Sequence, residues 1–116
     1  FLSQGRGLVV NMGSVSGQKA SPKMAAYGAA KAGVESFTKS IALEYADKNI
    51  RALTICPGTV ETALMDKMMF AMIGKKVPLK RIGQPREIAA LVEFLMSDDA
   101  SYMTGASVVV DGGVTL

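Results

Sequence analysis

Three short apolar runs, each stopped by glycine or by Pro-Gly, constrain the fold of this chain more than any other feature. Residues 8–12 follow Gly5 and Gly7 and stop at Gly13; residues 51–56 stop at Pro57-Gly58; residues 106–110 stop at Asp111-Gly112-Gly113. Runs of this length, rich in Val, Leu and Ile and bounded by turn residues, read as strands. They lack the clean apolar–polar alternation of a strand with one wet face, so both faces are covered. Helical stretches separate them. The expectation is therefore an α/β chain with a parallel sheet between helical layers.

The longest helix is expected over residues 24–47. Ala30, Val34, Phe37, Ile41 and Tyr45 recur at steps of three and four and predict one buried stripe. Its first turns are crowded with small residues (Ala25, Ala26, Gly28, Ala29, Ala32 and Gly33), which permit close backbone approach to the sheet and to another subunit. A later helix begins near Pro85, a residue suited to a first turn, with Glu87 favourable near the positive end. Its core stripe is Ile88, Leu91, Val92 and Leu95. Three parallel strands alone leave two long open edges, which folded proteins avoid. The pattern therefore asks for further strands upstream. Residues 1–116 are expected to be the C-terminal half of one domain whose N-terminal half is missing.

Composition narrows the chemistry. About half of the 116 residues are apolar, as in a folded core, and no apolar run approaches the roughly 20 residues of a membrane span. The net charge of +3 is too mild to point to nucleic acid, and Lys75, Lys76, Lys80 and Arg81 read as a solvated face. There are no histidines, which removes the commonest general base and metal ligand. The single Cys56 forms no internal disulfide and reads as a buried thiol, so a reducing, cytoplasmic compartment is expected.

Acid–base chemistry must then fall to another side chain. Tyr27 and Lys31 are four apart at the start of the long helix, so they share a face. A free phenol, with a pKa of ~10, is a poor base near neutrality, and an ammonium beside it favours the phenolate. Ser14 lies just past the end of the first strand, at the sheet edge where open α/β folds bind ligands. A hydroxyl there can hold a substrate oxygen while the phenol moves a proton.

These residues sit in longer motifs. Asn11-Met12-Gly13-Ser14, with Tyr27-Gly28-Ala29-Ala30-Lys31-Ala32-Gly33 following, resembles the active-site signature of the short-chain dehydrogenase/reductase family. Ile55-Cys56-Pro57-Gly58-Thr59-Val60-Glu61-Thr62 resembles that family's Pro-Gly turn after its sixth strand. Residues 81–89 resemble the approach to its last large helix, and residues 102–113 its terminal strand. The resemblance spans nearly the whole chain, in order.

That resemblance implies a Rossmann-type doubly wound sheet and an oxidoreductase that interconverts a carbonyl and a secondary alcohol with NAD or NADP. Tyr27 would be the acid/base, Lys31 its ammonium partner and a ligand of the nicotinamide ribose, and Ser14 the group that orients the substrate. Pro57 and Gly58 would shape the turn beneath the nicotinamide. Val60 would meet its carboxamide through the backbone, and Thr62 through its hydroxyl or at the pyrophosphate; the lesser alternative for both is a helix entry with Thr62 as its N-cap. The phosphate-binding turn, the residue choosing NAD or NADP and the family's catalytic asparagine would precede Phe1.

Residues 62–73 would form a mobile lid, strongly apolar through Leu64, Met65, Met68, Met69, Met72 and Ile73. Methionine repacks easily around varied shapes. The expected substrate is thus a small carbonyl or alcohol, apolar or acyl-carrier-linked, unless these methionines pack on a neighbouring helix or subunit. Lys48 matches the basic residue of ketoacyl-carrier-protein reductases, whereas Gly5 stands where such enzymes carry another, with Arg6 adjacent. A non-catalytic cofactor-sensing or scaffold role is the rival from another class. The family also implies a homo-oligomer, tetramer or dimer.

Overall fold

The computed structural model describes all 116 residues. Three strands, β1 (Gly7–Met12), β2 (Ile50–Pro57) and β3 (Ser107–Val110), form one parallel sheet in the order β1-β2-β3. Gly7 pairs with Ile50 and Met12 with Ile55, while Thr54 pairs with Ser107 and Pro57 with Val110. All three carboxyl ends therefore open on one edge of the sheet. The expected strands are present, each within one residue of its expected limits.

Helix α1 (Ala25–Tyr45) connects β1 to β2; α2 (Lys67–Lys76) and α3 (Pro85–Met96) lie between β2 and β3. Alternation along β2 divides the layers. Leu53 and Ile55 are fully buried with Leu95 of α3 and Ala100, and Leu8, Val10, Ile88, Leu91 and Val92 pack around them. The core stripe expected for α3 is the one observed. Its start is also as expected: Pro85 opens the helix, and the Glu87 carboxylate accepts the Gln84 N–H at 2.8 Å.

The other face of β2 meets α1, and here the expected stripe is corrected. The residues that α1 buries are Glu35, Thr38 and Ala42, whereas Phe37 is 62% exposed and Ala30 is exposed. Val34, Ile41 and Tyr45 are only half-buried. Hydrogen bonding decides which face turns inward. Asn11 Nδ2 on β1 donates to Thr38 Oγ1 at 2.9 Å, and that hydroxyl donates to the Val34 carbonyl at 2.7 Å. The apolar stripe instead faces outward beside the unpaired edge of β1, where Phe1, Val9, Phe37 and Ile41 line one open groove.

The radius of gyration, 15.6 Å, exceeds the roughly 13 Å of a compact chain near this length. No helix is long and apolar enough to cross a membrane.

Candidate active site

The carboxyl end of β1 runs into Ser14 and then a short 3-10 turn, Val15–Gly17. Ser14 is buried, at 8% exposure, and its Oγ accepts the Ser16 N–H at 3.1 Å. That bond fixes the hydroxyl oxygen and leaves its proton free to donate. Tyr27 stands in the first turn of α1 and is 48% exposed. Ser14 and Tyr27 line one cavity of about 270 Å³ with Val15, Ser16, Met24, Gly58 and Thr59. The two hydroxyl residues expected to act together thus share a cleft at the carboxyl edge of the sheet.

Lys31 follows one turn along α1. Its Nζ lies 5.7 Å from the centroid of the Tyr27 ring and donates to the Met12 carbonyl oxygen at 3.0 Å. The ammonium is therefore held between the helix and the strand tip, with two further N–H donors to offer.

At the end of β2 the chain turns through Pro57 and Gly58, whose N–H donates to the Val110 carbonyl at 3.0 Å. A Cβ on Gly58 would lie 2.9 Å from Asp111 Cα. Beyond the turn, Val60 bridges to Gly83. The bridge uses the Thr59 carbonyl and the Glu61 N–H, each bonded to Gly83 at 2.9 Å, so the peptide groups of Val60 itself face away from Gly83. Gln84 Nε2 then donates to Glu61 Oε2 at 2.6 Å and secures the segment from α3. Thr62 is exposed, and its carbonyl accepts the Met65 N–H at 3.2 Å. It caps no helix: the cap of α2 is Asp66, whose carboxylate accepts the Met68 N–H at 3.1 Å.

Leu64, Met68, Met69 and Met72 are 98%, 73%, 51% and 67% exposed. Cys56 lies behind the cleft, fully buried, and burial together with the nearby Glu35 carboxylate pushes its thiol up to about 11. It is a core thiol, as expected. No cluster of three metal-ligating side chains is present.

The motifs did not single out Met24 and Thr59, which line the cavity, or Gln18 and Glu35, which lie beneath the Ser14 turn. The available signal was spacing: Gly28, Lys31, Glu35, Thr38 and Ala42 mark the sheet-facing side of α1 at steps of three and four.

A family model described as enoyl-(acyl carrier protein) reductase matches residues 1–115. The chain belongs to the short-chain dehydrogenase/reductase family. It is 46% identical to a cyclohexanol dehydrogenase of Acinetobacter sp. strain SE19, over 99% of this chain and 46% of that protein. It is 43% identical to a 3-oxoacyl-[acyl-carrier-protein] reductase of Vibrio cholerae, over 98% of this chain and 48% of that protein. Among solved structures, a 4-hydroxyisoleucine dehydrogenase complexed with NADH superposes with a TM-score of 0.86 at 39% identity, over 93% of this chain and 46% of that one. The chain spans about half the length of these relatives.

Proposed function

We propose that this chain is the C-terminal half of a single Rossmann-type domain that interconverts a carbonyl and a secondary alcohol with NAD or NADP. The observation that carries the reading is the shared cavity of Ser14 and Tyr27, with the Lys31 ammonium against the tyrosine ring. Family membership and relatives named as dehydrogenases and reductases support it.

The residues present suit a nicotinamide cofactor. Lys31 keeps N–H donors for ribose hydroxyls, Val60 turns unpaired peptide groups away from Gly83, and Thr62 offers an exposed hydroxyl. Pro57 and Gly58 form the turn that leads from β2 to Val60. When bound, the cofactor gives or takes the hydride. The chain's own residues handle the proton: the Ser14 hydroxyl donates to the substrate oxygen and orients it, and Tyr27 gives that oxygen its phenolic proton in reduction or, as the phenolate, takes one from it in oxidation. Lys31 holds its ammonium 5.7 Å from the centre of the Tyr27 ring.

An apolar ketone or alcohol is the substrate class we favour. Met24 lines the cavity, and the exposed Leu64, Met68 and Met72 stand on the segment that follows the Pro57-Gly58 turn. The acyl-carrier reading draws on the Vibrio cholerae relative, but the Lys48 ammonium it needs lies 3.6 Å from Asp47, which competes for it. The exposed small residues Ala29, Ala32 and Gly33 support a homo-oligomer, dimer or tetramer. The lone buried thiol supports a reducing, cytoplasmic setting.

Tyr27→Phe in the full-length protein tests the reading. Turnover of an apolar ketone should be lost while nicotinamide cofactor binding, followed by fluorescence, is largely kept. Retained turnover would overturn it.

A further inference from the structure

The Ser14 turn lies directly on α1. A Cβ on Gly17 would come within 2.8 Å of Ala32 N and 2.9 Å of the Lys31 carbonyl carbon. A Cβ on Gly28 would come within 2.7 Å of the Ser16 carbonyl oxygen. No side chain separates the turn bearing Ser14 from the stretch of helix bearing Tyr27 and Lys31, so a small slide of one on the other moves Ser14 relative to Tyr27.

Glu35, one turn beyond Lys31, sits against this contact. It is 8% exposed, and its Oε2 accepts Gln18 Nε2 at 3.2 Å. The same amide nitrogen reaches Cys56 Sγ on β2 at 3.6 Å. Glu35 Oε1 is buried without a hydrogen-bond partner, 3.1 Å from the position of a Cβ on Gly17. Glu35 joins neither ion pair of the chain. A buried carboxylate without a counter-ion is unfavourable, and an apolar side chain would fill the space at lower cost. What the carboxylate does that an apolar group does not is hold Gln18, the residue that closes the Ser14 turn.

We propose that Glu35 and Gln18 are positioning residues, a clasp that holds the turn at residues 14–18 against α1 and so sets Ser14 Oγ relative to the Tyr27 hydroxyl. The inference rests on the reading of Ser14 and Tyr27 as the pair that handles the substrate oxygen. Neither clasp residue lines the cavity, so both act through Ser14.

The test uses the full-length enzyme. Gln18→Ala and Glu35→Ala should each lower kcat roughly 10- to 100-fold, the scale of ångström-level misplacement of reacting groups, with KM and cofactor affinity within about twofold of wild type. The double variant should fall no further than the worse single, because the two residues act as one device. Glu35→Gln keeps an acceptor for Gln18 and should restore most of kcat. Parallel losses in melting temperature, cofactor affinity and kcat, additive in the double variant, would instead mark an ordinary packing role and overturn the clasp. Tyr27→Phe separates the two failures. If that variant stays active, the reading of the site is wrong; if it is inactive while both alanine variants keep wild-type kcat, the clasp alone is wrong. Should Glu35→Ala fail to fold, the exposed Gln18 carries the test, and unchanged kcat in Gln18→Ala refutes the clasp.

Discussion

The Nζ of Lys31 donates to the Met12 carbonyl oxygen at 3.0 Å, tying the first turns of α1 to the tip of β1. The same ammonium stands 5.7 Å from the centre of the Tyr27 ring. One side chain thus fixes helix against strand and supplies charge at the proposed acid/base.

Lys31→Met should separate these two contributions. The lost hydrogen bond and ring contact together predict a stability decrease of about 1–2 kcal/mol. Turnover should fall about 100-fold or more, the scale of a general acid/base stripped of its support. Urea denaturation and steady-state kinetics on one preparation check both; intact turnover beside a large stability loss would make Lys31 purely structural.

Glu87 predicts a pH dependence at the start of α3. Arg81 donates to both its oxygens, at 2.8 and 2.7 Å, and the Gln84 N–H adds a third bond. The Arg81 hydrogen bonds chiefly, then the Gln84 N–H, lower its carboxyl from 4.5 to about 2. A depressed carboxylate stabilises the fold above its unfolded value and loses that contribution as pH falls through the folded one. Wild type should therefore lose stability between about pH 4.5 and pH 2 by a component missing from Glu87→Gln. Melting curves across that window check it, and added salt should shrink the difference, since both partners are solvent-exposed.

The sheet was legible because its strands are apolar runs with hard stops; Ser14, Tyr27 and Lys31 stood out through the longer motifs around them, since a tyrosine and a lysine four apart are common on helices. The orientation of α1 was not legible. Apolar periodicity reports which face needs cover, but it does not say that β2 supplies that cover. Glu35 and Thr38 turn to the sheet because Gln18 and Asn11 meet them there, pairings across 17 and 27 residues that no local pattern encodes. The Pro57-Gly58 turn is legible as a strand stop, but the sequence does not show that the bare Cα of Gly58 makes room for Asp111, a neighbour far downstream.

Gly58→Ala follows from that contact. The added methyl would sit 2.9 Å from Asp111 Cα and Cβ and 3.2 Å from its carbonyl oxygen, and the backbone atoms among these have little freedom to yield. Asp111 is itself held: burial pushes its carboxyl up, yet donation from the Gly113 N–H and the Thr115 hydroxyl and N–H outweighs this and keeps it low. Overpacking at such a site predicts a destabilisation of about 1–3 kcal/mol. Because Gly58 also lines the cavity, KM should rise with it. Chemical denaturation and kinetics check the pair of effects, and a stability equal to wild type would show that the C-terminal turn moves aside freely.

Cys56 predicts a silence. Its thiol has no exposed surface, and burial first, then the nearby Glu35 carboxylate, push it up to about 11. Thiolate is the reactive form, so at pH 8 only about one thiol in a thousand is ionised, and that one is shielded from reagent. Iodoacetamide should leave the folded protein unlabelled over hours and modify Cys56 promptly in urea, as read by mass spectrometry. Partial labelling of the native state would report opening of the layer between α1 and β2. Because Gln18 Nε2 touches Cys56 Sγ, Gln18→Ala should label faster than wild type if that side chain helps keep the layer shut.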